Sequence, residues 1–303
     1  MIKRIVEISS ARTRLSIKYG QLIIKEDSEQ VAIIPCEDIG VLLVDHQGTC
    51  YTHCVFTELL RCGAAIVLCG GNHHPAGMLL PIESNSVQTE RFRQQIEAKE
   101  PVKKRLWKQI IQAKIKHQAR LAGKDSDVYK SLMALRHSVR SGDPSNIEAQ
   151  ASRKFWPVYL QEMDLASSPQ AFRRDINGAP PNNMLNYGYT VMRAAVARAL
   201  CSAGLLPSFG IHHRNRYNAF CLADDLVEPF RGFVEAKVRD IYINNGPVDD
   251  LDQPTKAMIL EVLYEQVKIA GYEGPLMVGL HRTAASLQRC FAGEQKILDL
   301  PEI

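Results

Sequence analysis

Arg14-Leu-Ser-Ile-Lys-Tyr-Gly-Gln-Leu-Ile-Ile-Lys25 alternates apolar and polar residues on either side of Gly20. A period of two places one set of side chains on one face of a pleated strand, and a central glycine marks a reversal, so the stretch reads as a hairpin. Gln30-Val-Ala-Ile-Ile-Pro35 and Gly40-Val-Leu-Leu-Val-Asp45 continue the pattern, and hairpins in a small sheet are expected. Tyr51 to Arg61 has helical spacing through Val55, Leu59 and Leu60, and Gly63-Ala-Ala-Ile-Val-Leu-Cys-Gly70 reads as a buried strand returning to that sheet. Past Pro81 the pattern changes to long helices. The sequence therefore predicts an α+β chain: a small β-rich domain over residues 1–82, serving packing or dimer assembly, then a larger all-α domain over 83–303.

The helical part opens on a basic window, residues 91–120, in which Arg91, Arg93, Lys103, Lys104 and other cations face only Glu97 and Glu100. Gly123 to Asp127 and Ser141-Gly-Asp-Pro144 punctuate it as loops. A further helix opens at Ser145, residues 183–204 form the most apolar one, and patterns at 254–270 and 281–293 complete the domain.

Composition limits the function. The 303 residues are long enough for two cores, and 46% hydrophobic with 23% charged residues is ordinary for a globular protein. No apolar leader precedes Glu7 and no uncharged run approaches a bilayer's thickness, so the expectation is a cytoplasmic protein without a membrane segment. The eight cysteines then read as free thiols. Cys50, His53, Cys54, Cys62, Cys69, His73 and His74 invite a zinc reading, but without a Cys-x-x-Cys knuckle buried structural thiols are favoured. A net charge of +4 does not by itself indicate nucleic acid. The basic window could neutralise phosphates or be a solvated face, and Arg91, Arg93, Lys103 and Lys104 are candidate DNA contacts from charge alone. No phosphate-binding glycine loop, dinucleotide fingerprint or nucleophile elbow is present, which disfavours nucleotide-dependent and hydrolase classes.

Imidazole, carboxylate and guanidinium groups gather in Gly210-Ile-His-His-Arg-Asn-Arg-Tyr-Asn-Ala-Phe-Cys-Leu-Ala-Asp-Asp-Leu-Val-Glu-Pro-Phe-Arg231. Helical spacing from Phe220 puts Asp225 and Glu228 three residues apart, with Asp224 and Glu228 four apart. Such carboxylates repel unless a cation sits between them, and His212 or His213 could add a nitrogen ligand. The plain alternative is a Glu228–Arg231 pair at i,i+3 with acids favoured in a first turn. Pro229 breaks or starts a helix beside these acids. Upstream, Ser145-x-x-Glu148 fits a capping box, yet Glu148 also continues the line of Ala151, Phe155 and Tyr159. A carboxylate aimed along an apolar face calls for a cation.

The β-rich start, Asn146-Ile-Glu148-Ala, Asn183-Met-Leu-Asn-Tyr-Gly-Tyr189, Gly204-Leu-Leu-Pro-Ser-Phe-Gly-Ile-His-His213 and Asp225-Leu-Val-Glu-Pro-Phe-Arg231 together resemble the CRISPR-associated integrase family, the DNA-joining subunit of spacer acquisition. The double histidine and the Glu-Pro-Phe-Arg ending look most like its type II branch. The resemblance spans nearly the whole chain. It implies a metal-binding triad that maps onto Glu148, His213 and Glu228, with Asp225 a possible additional ligand, and Mn²⁺ or Mg²⁺ as the ion. It implies transesterification by the 3′-hydroxyl ends of a short foreign DNA fragment on a CRISPR repeat. Double-stranded DNA, a second copy of the chain and a smaller ferredoxin-like adaptation subunit are the implied partners. A metal-dependent nuclease of branched DNA with water as nucleophile, and a non-catalytic DNA-binding scaffold, are the rival readings.

Overall fold

The structure, a computed structural model, describes residues 3–71, 75–83, 85–163, 165, 178 and 180–302. The strands β1 (Arg4–Ile8), β2 (Thr13–Lys18), β3 (Gln21–Glu26), β4 (Glu29–Pro35), β5 (Ile39–Val44) and β6 (Cys50–Tyr51) precede a helix α1 (His53–Arg61), after which come β7 (Ala65–Cys69) and β8 (Pro75–Leu79). The hairpin expected around Gly20 is present. β2 and β3 pair antiparallel from Thr13–Glu26 to Lys18–Gln21, and Tyr19 and Gly20, at φ 52° and 71°, form a two-residue turn whose twist matches the strands.

The strands make two sheets where one was expected: β4-β3-β2-β6 and β1-β5-β7-β8. β1, β5 and β7 run parallel, because the chain leaves one sheet for the other before β5 and α1 carries it back to β7. Leu15, Leu22 and Ile24 of the first sheet meet Ile39, Leu42, Val44 and Ile66 of the second, with Val55 and Leu59 of α1, in one core. The opposite faces of β5 and β7, with Val41, Leu43, Val67 and Cys69, belong to the helical core instead. A strand buried on both faces needs a continuous apolar run, which is how Gly40-Val-Leu-Leu-Val44 reads.

The helical region contains α2 (Gln88–Glu97), α3 (Glu100–Leu121), α4 (Asp127–Ser138), α5 (Ile147–Gln161), α6 (Asn182–Ser202), α7 (Cys221–Val227), α8 (Arg231–Asn245), α9 (Gln253–Leu260) and α10 (Leu276–Ala292). The expected helix over 254–270 stops early. After α9 and a 3-10 turn, β9 (Gln266–Ile269) pairs antiparallel with β10 (Tyr272–Pro275) around Ala270 and Gly271, both at positive φ. The region is thus helical with one hairpin rather than all-α. α6 is central and lies close to its neighbours: a Cβ on Gly188 would fall 2.5 Å from Val234 of α8. Residues 91–120 are two helices broken at Ala98 and Lys99.

The two regions are also joined by charge. Lys256 of α9 is buried and pairs with Asp45 at the end of β5, with Glu7 of β1 4.0 Å away. Burial pushes the Glu7 carboxyl up to about 7 against the opposing charge of Lys256. No helix among the described residues is long and apolar enough to cross a membrane. The eight cysteines are free thiols, as expected, and Cys50 and Cys54 are exposed. His73 and His74 of the zinc reading lie outside the described residues, and among the described residues no histidine, cysteine and carboxylate group forms a metal cluster.

Candidate active site

Glu148 sits in the first turn of α5, but the capping box is not what holds it. Asn146, at φ 49°, caps the helix by accepting the Ala149 amide, and the Asp143 carboxylate accepts the amides of Ile147 and Glu148 at 2.9 and 3.0 Å. Ser145 plays no part in the cap. The Glu148 carboxylate is therefore free of its own helix end: its Oε1 lies 2.5 Å from Lys114 Nζ and accepts the Ser152 hydroxyl at 3.0 Å.

Glu228 is placed by the expected break at Pro229. α7 ends at Val227, Glu228–Phe230 form a 3-10 turn, and α8 starts at Arg231. The Glu228 side chain is 8% exposed, with Oε2 2.6 Å from Lys114 Nζ and Oε1 accepting Arg231 Nε at 2.9 Å. The plain i,i+3 pair thus exists beside the convergence with Glu148. Burial alone would raise the Glu228 carboxyl, but the charges of Arg231 and Lys114 outweigh it and hold the group down at about 2. For Lys114 burial likewise acts against ionisation, and the Glu228 and Glu148 charges overcome it and keep the ammonium above its usual value.

His213 lies on the loop before α7, and Asp225 builds that loop. One Asp225 oxygen accepts the amides of Ile211 and His212 at 2.6 and 2.8 Å, while the other meets the His213 amide at 3.2 Å and His213 Nδ1 at 2.6 Å. The turn passes so close to this carboxylate that a Cβ on Gly210 would stand 2.8 Å from it and 2.4 Å from the His213 carbonyl oxygen. The hydrogen bond to Asp225 raises the His213 pKa and leaves Nε2 as the ring's remaining nitrogen. His212 instead stacks on Trp107, centroids 4.2 Å apart and planes within 2°, and burial lowers its pKa. Asp224 is held by Arg193 and Asn218.

Glu148, His213 and Glu228, from three separate segments, line one cavity of about 340 Å³ together with Trp107, Asp143, Asn146 and His212. Asp225 is the possible fourth ligand whose oxygens are already taken. Two carboxylates and an imidazole fixed through its other nitrogen are a donor set that suits Mn²⁺ or Mg²⁺. Lys114 takes the position between the two glutamates, and among the described residues no three candidate ligands converge on one point.

The residue that sequence reasoning missed is Lys114. It counted as one more cation in the basic window, but it is buried. The signal was available: Lys114 falls four residues after Ile110 and seven after Trp107, on the apolar face of α3. The four candidate DNA contacts separate as well. Arg91 is spent inside the protein, donating to the Ala203 carbonyl at 2.8 Å, whereas Arg93 and Lys104 are exposed and Lys103 is half-buried.

The fold is shared with proteins of known structure. A casposase bound to integration product superposes with a TM-score of 0.80 at 18% identity, covering 98% of this chain and 92% of that one. A Cas1 protein from Thermotoga maritima gives 0.73 at 17%, covering 96% and 98%. In sequence, residues 6–261 match the family described as CRISPR associated protein Cas1. The CRISPR-associated endonuclease Cas1 of Neisseria meningitidis serogroup C (strain 8013) is 33% identical over 293 residues, 96% of this chain and 93% of the relative. The chain belongs to the Cas1 family.

Proposed function

We propose that this protein is the integrase of CRISPR adaptation, joining the 3′-hydroxyl ends of short foreign DNA fragments to a CRISPR repeat by metal-dependent transesterification in the cytoplasm. The observation that carries the reading is that Glu148, His213 and Glu228, distant in sequence, line a single cavity in a Cas1 chain. These three residues would hold Mn²⁺ or Mg²⁺. A divalent ion supplies Lewis acidity that polarises a phosphodiester and favours its alkoxide leaving group.

The remaining residues act by position. Asp225 fixes the tautomer and direction of His213, Asp143 and Asn146 fix the first turn that carries Glu148, and Arg231 holds Glu228. Such fixed geometry converts an encounter of a fragment's 3′-hydroxyl with a repeat phosphodiester into a step that needs little further ordering. Arg93, Lys103 and Lys104 are the proposed backbone contacts to double-stranded DNA. A second copy of the chain, meeting through the β-rich part, and a smaller ferredoxin-like subunit are the proposed partners. A solved Cas6-RT-Cas1–Cas2 complex contains a chain that matches 97% of this one, over 35% of its own length, with a TM-score of 0.76, and its Cas2 component supports the small-subunit partner.

The relatives' designation as endonucleases favours one second reading, hydrolysis with water as nucleophile. One experiment separates the two. Protein, small subunit and Mn²⁺ are incubated with a supercoiled plasmid carrying a repeat and with fragments ending in either 3′-hydroxyl or dideoxy nucleotides. The integrase reading requires branched products and relaxed plasmid only with 3′-hydroxyl ends, both lost in Glu148→Ala. Equal nicking with either end, and no joined fragment, assigns the protein to the nucleases.

A further inference from the structure

Lys114 raises a question that the ligand set leaves open: what keeps a buried and a half-buried carboxylate together before any ion arrives. Glu148 and Glu228 come from α5 and from the turn between α7 and α8, and nothing in the backbone obliges their side chains to converge. Like charges brought together away from water repel strongly. The Lys114 ammonium lies 2.5 Å from one and 2.6 Å from the other, on a stem anchored in the buried face of α3 between Ile110, Ile111 and Ile115.

We propose that Lys114 is a positioning residue that serves as the site's own counter-ion, bridging Glu148 and Glu228 while no divalent ion is bound and giving up that place when one arrives. The inference rests on the reading of these two glutamates as ligands. Each glutamate has a partner that remains when the ammonium withdraws: Ser152 for Glu148 and Arg231 for Glu228. His213 is held independently by Asp225, so the nitrogen donor waits in place throughout. An ammonium and a divalent cation in contact with the same two carboxylates repel each other, so occupation by one weakens the other. The ion's affinity is then set by exchange with a side chain, and the metal-free protein avoids a bare pair of neighbouring negative charges, one of them buried.

The test compares wild type, Lys114→Met and Lys114→Arg by Mn²⁺ titration and by thermal melting in EDTA and in saturating Mn²⁺. Lys114→Met is expected to bind Mn²⁺ on the order of tenfold more tightly than wild type. It should melt below wild type in EDTA and recover most of that loss with Mn²⁺, whereas Lys114→Arg, which keeps the charge, should stay near wild-type affinity. Equal or weaker binding by Lys114→Met, with the same loss of melting temperature in EDTA and in Mn²⁺, overturns the exchange and leaves Lys114 a structural residue. Should Lys114→Met not fold, wild-type protein labelled with ¹⁵N-lysine is titrated with Mg²⁺. The Lys114 ammonium resonance, assigned by its loss in Lys114→Arg, must move on saturation, and a stationary signal also overturns the proposal. Absence of Mn²⁺ binding in wild type and both variants defeats the ligand assignment and this inference together, while binding that ignores Lys114 defeats this inference alone.

Discussion

Asp225 Oδ1 lies 2.6 Å from His213 Nδ1, and the same carboxylate accepts the amides of residues 211 to 213. An acid that spacing offers as a metal ligand is spent on holding the histidine proposed as one. Asp225→Asn would set an amide NH₂ against backbone N–H donors and release the ring. Loss of about 10- to 100-fold in joining rate is expected, with weaker Mn²⁺ binding in the same variant. Unchanged values for both would return Asp225 to the list of free carboxylates.

Glu228 and Glu148 share a cation but not an environment. Removing the Glu228 side chain, 8% exposed, takes a carboxylate from both the buried Lys114 and the half-buried Arg231, whereas the Glu148 side chain is 28% exposed and serves Lys114 alone of the two. In EDTA, Glu228→Ala should cost about 3–5 kcal/mol of stability and Glu148→Ala roughly 1 kcal/mol. Urea midpoints decide, and equal losses would contradict the burial difference. Both variants, like His213→Ala, should abolish joining, while His212→Ala should do much less.

The start of α5 gives a sharper contrast. Asp143 accepts two amides and Ser145 none in the cap, so Asp143→Ala should lose about 1–2 kcal/mol and Ser145→Ala less than about 0.5 kcal/mol. The reverse order would restore the capping box.

Glu7 makes stability depend on pH. Its folded pKa, about 7, lies above the ordinary carboxylate value, so the folded protein holds a proton that the unfolded chain releases first. Stability from this group is therefore present at pH 4–5 and lost as pH rises towards 7, by an amount on the order of 3 kcal/mol. Glu7→Gln should be close to wild type near pH 5 and more stable than wild type at pH 8. A constant difference between the two proteins across that range would show that Glu7 titrates normally.

DNA binding should weaken steeply with salt, each phosphate contact adding about 0.9 to the log–log slope. Reversing the charges of Lys103 and Lys104 should flatten it. Arg91, bonded to Ala203, should instead lower the melting temperature when replaced. An unaltered slope in the lysine variants would make that helix a solvated face.

Periodicity was legible wherever one residue type repeats on one face: the hairpin around Gly20, α1 and α6 stand near their expected bounds, while α10 ends as expected but begins earlier, at Leu276. It misled where two patterns overlap. Val262, Leu263 and Val267 keep a helix-like spacing up to a chain reversal at Ala270 and Gly271, where Gly271 was the local sign of the turn. Of the site, spacing set Asp224, Asp225 and Glu228 beside His212 or His213, Pro229 marked the break, and only the family resemblance joined Glu148 to His213 and Glu228. What spacing could not supply was the division of labour among the acids. Asp224, Asp225 and Glu228 lie on adjoining positions of one short helix and its end, and only their partners, Arg193, His213 and Lys114, distinguish them.

β5 is a seam common to two interiors. Leu42 and Val44 look into one, Val41 and Leu43 into the other, and the Asp45 that follows is the partner of Lys256. Cutting the chain after residue 82 would therefore take four apolar side chains out of the helical interior, Val41, Leu43, Val67 and Cys69, and leave a buried ammonium without its counter-charge. The helical half cannot be lent to another protein as a self-sufficient module; it travels with its strands, and damage to either interior is felt by both.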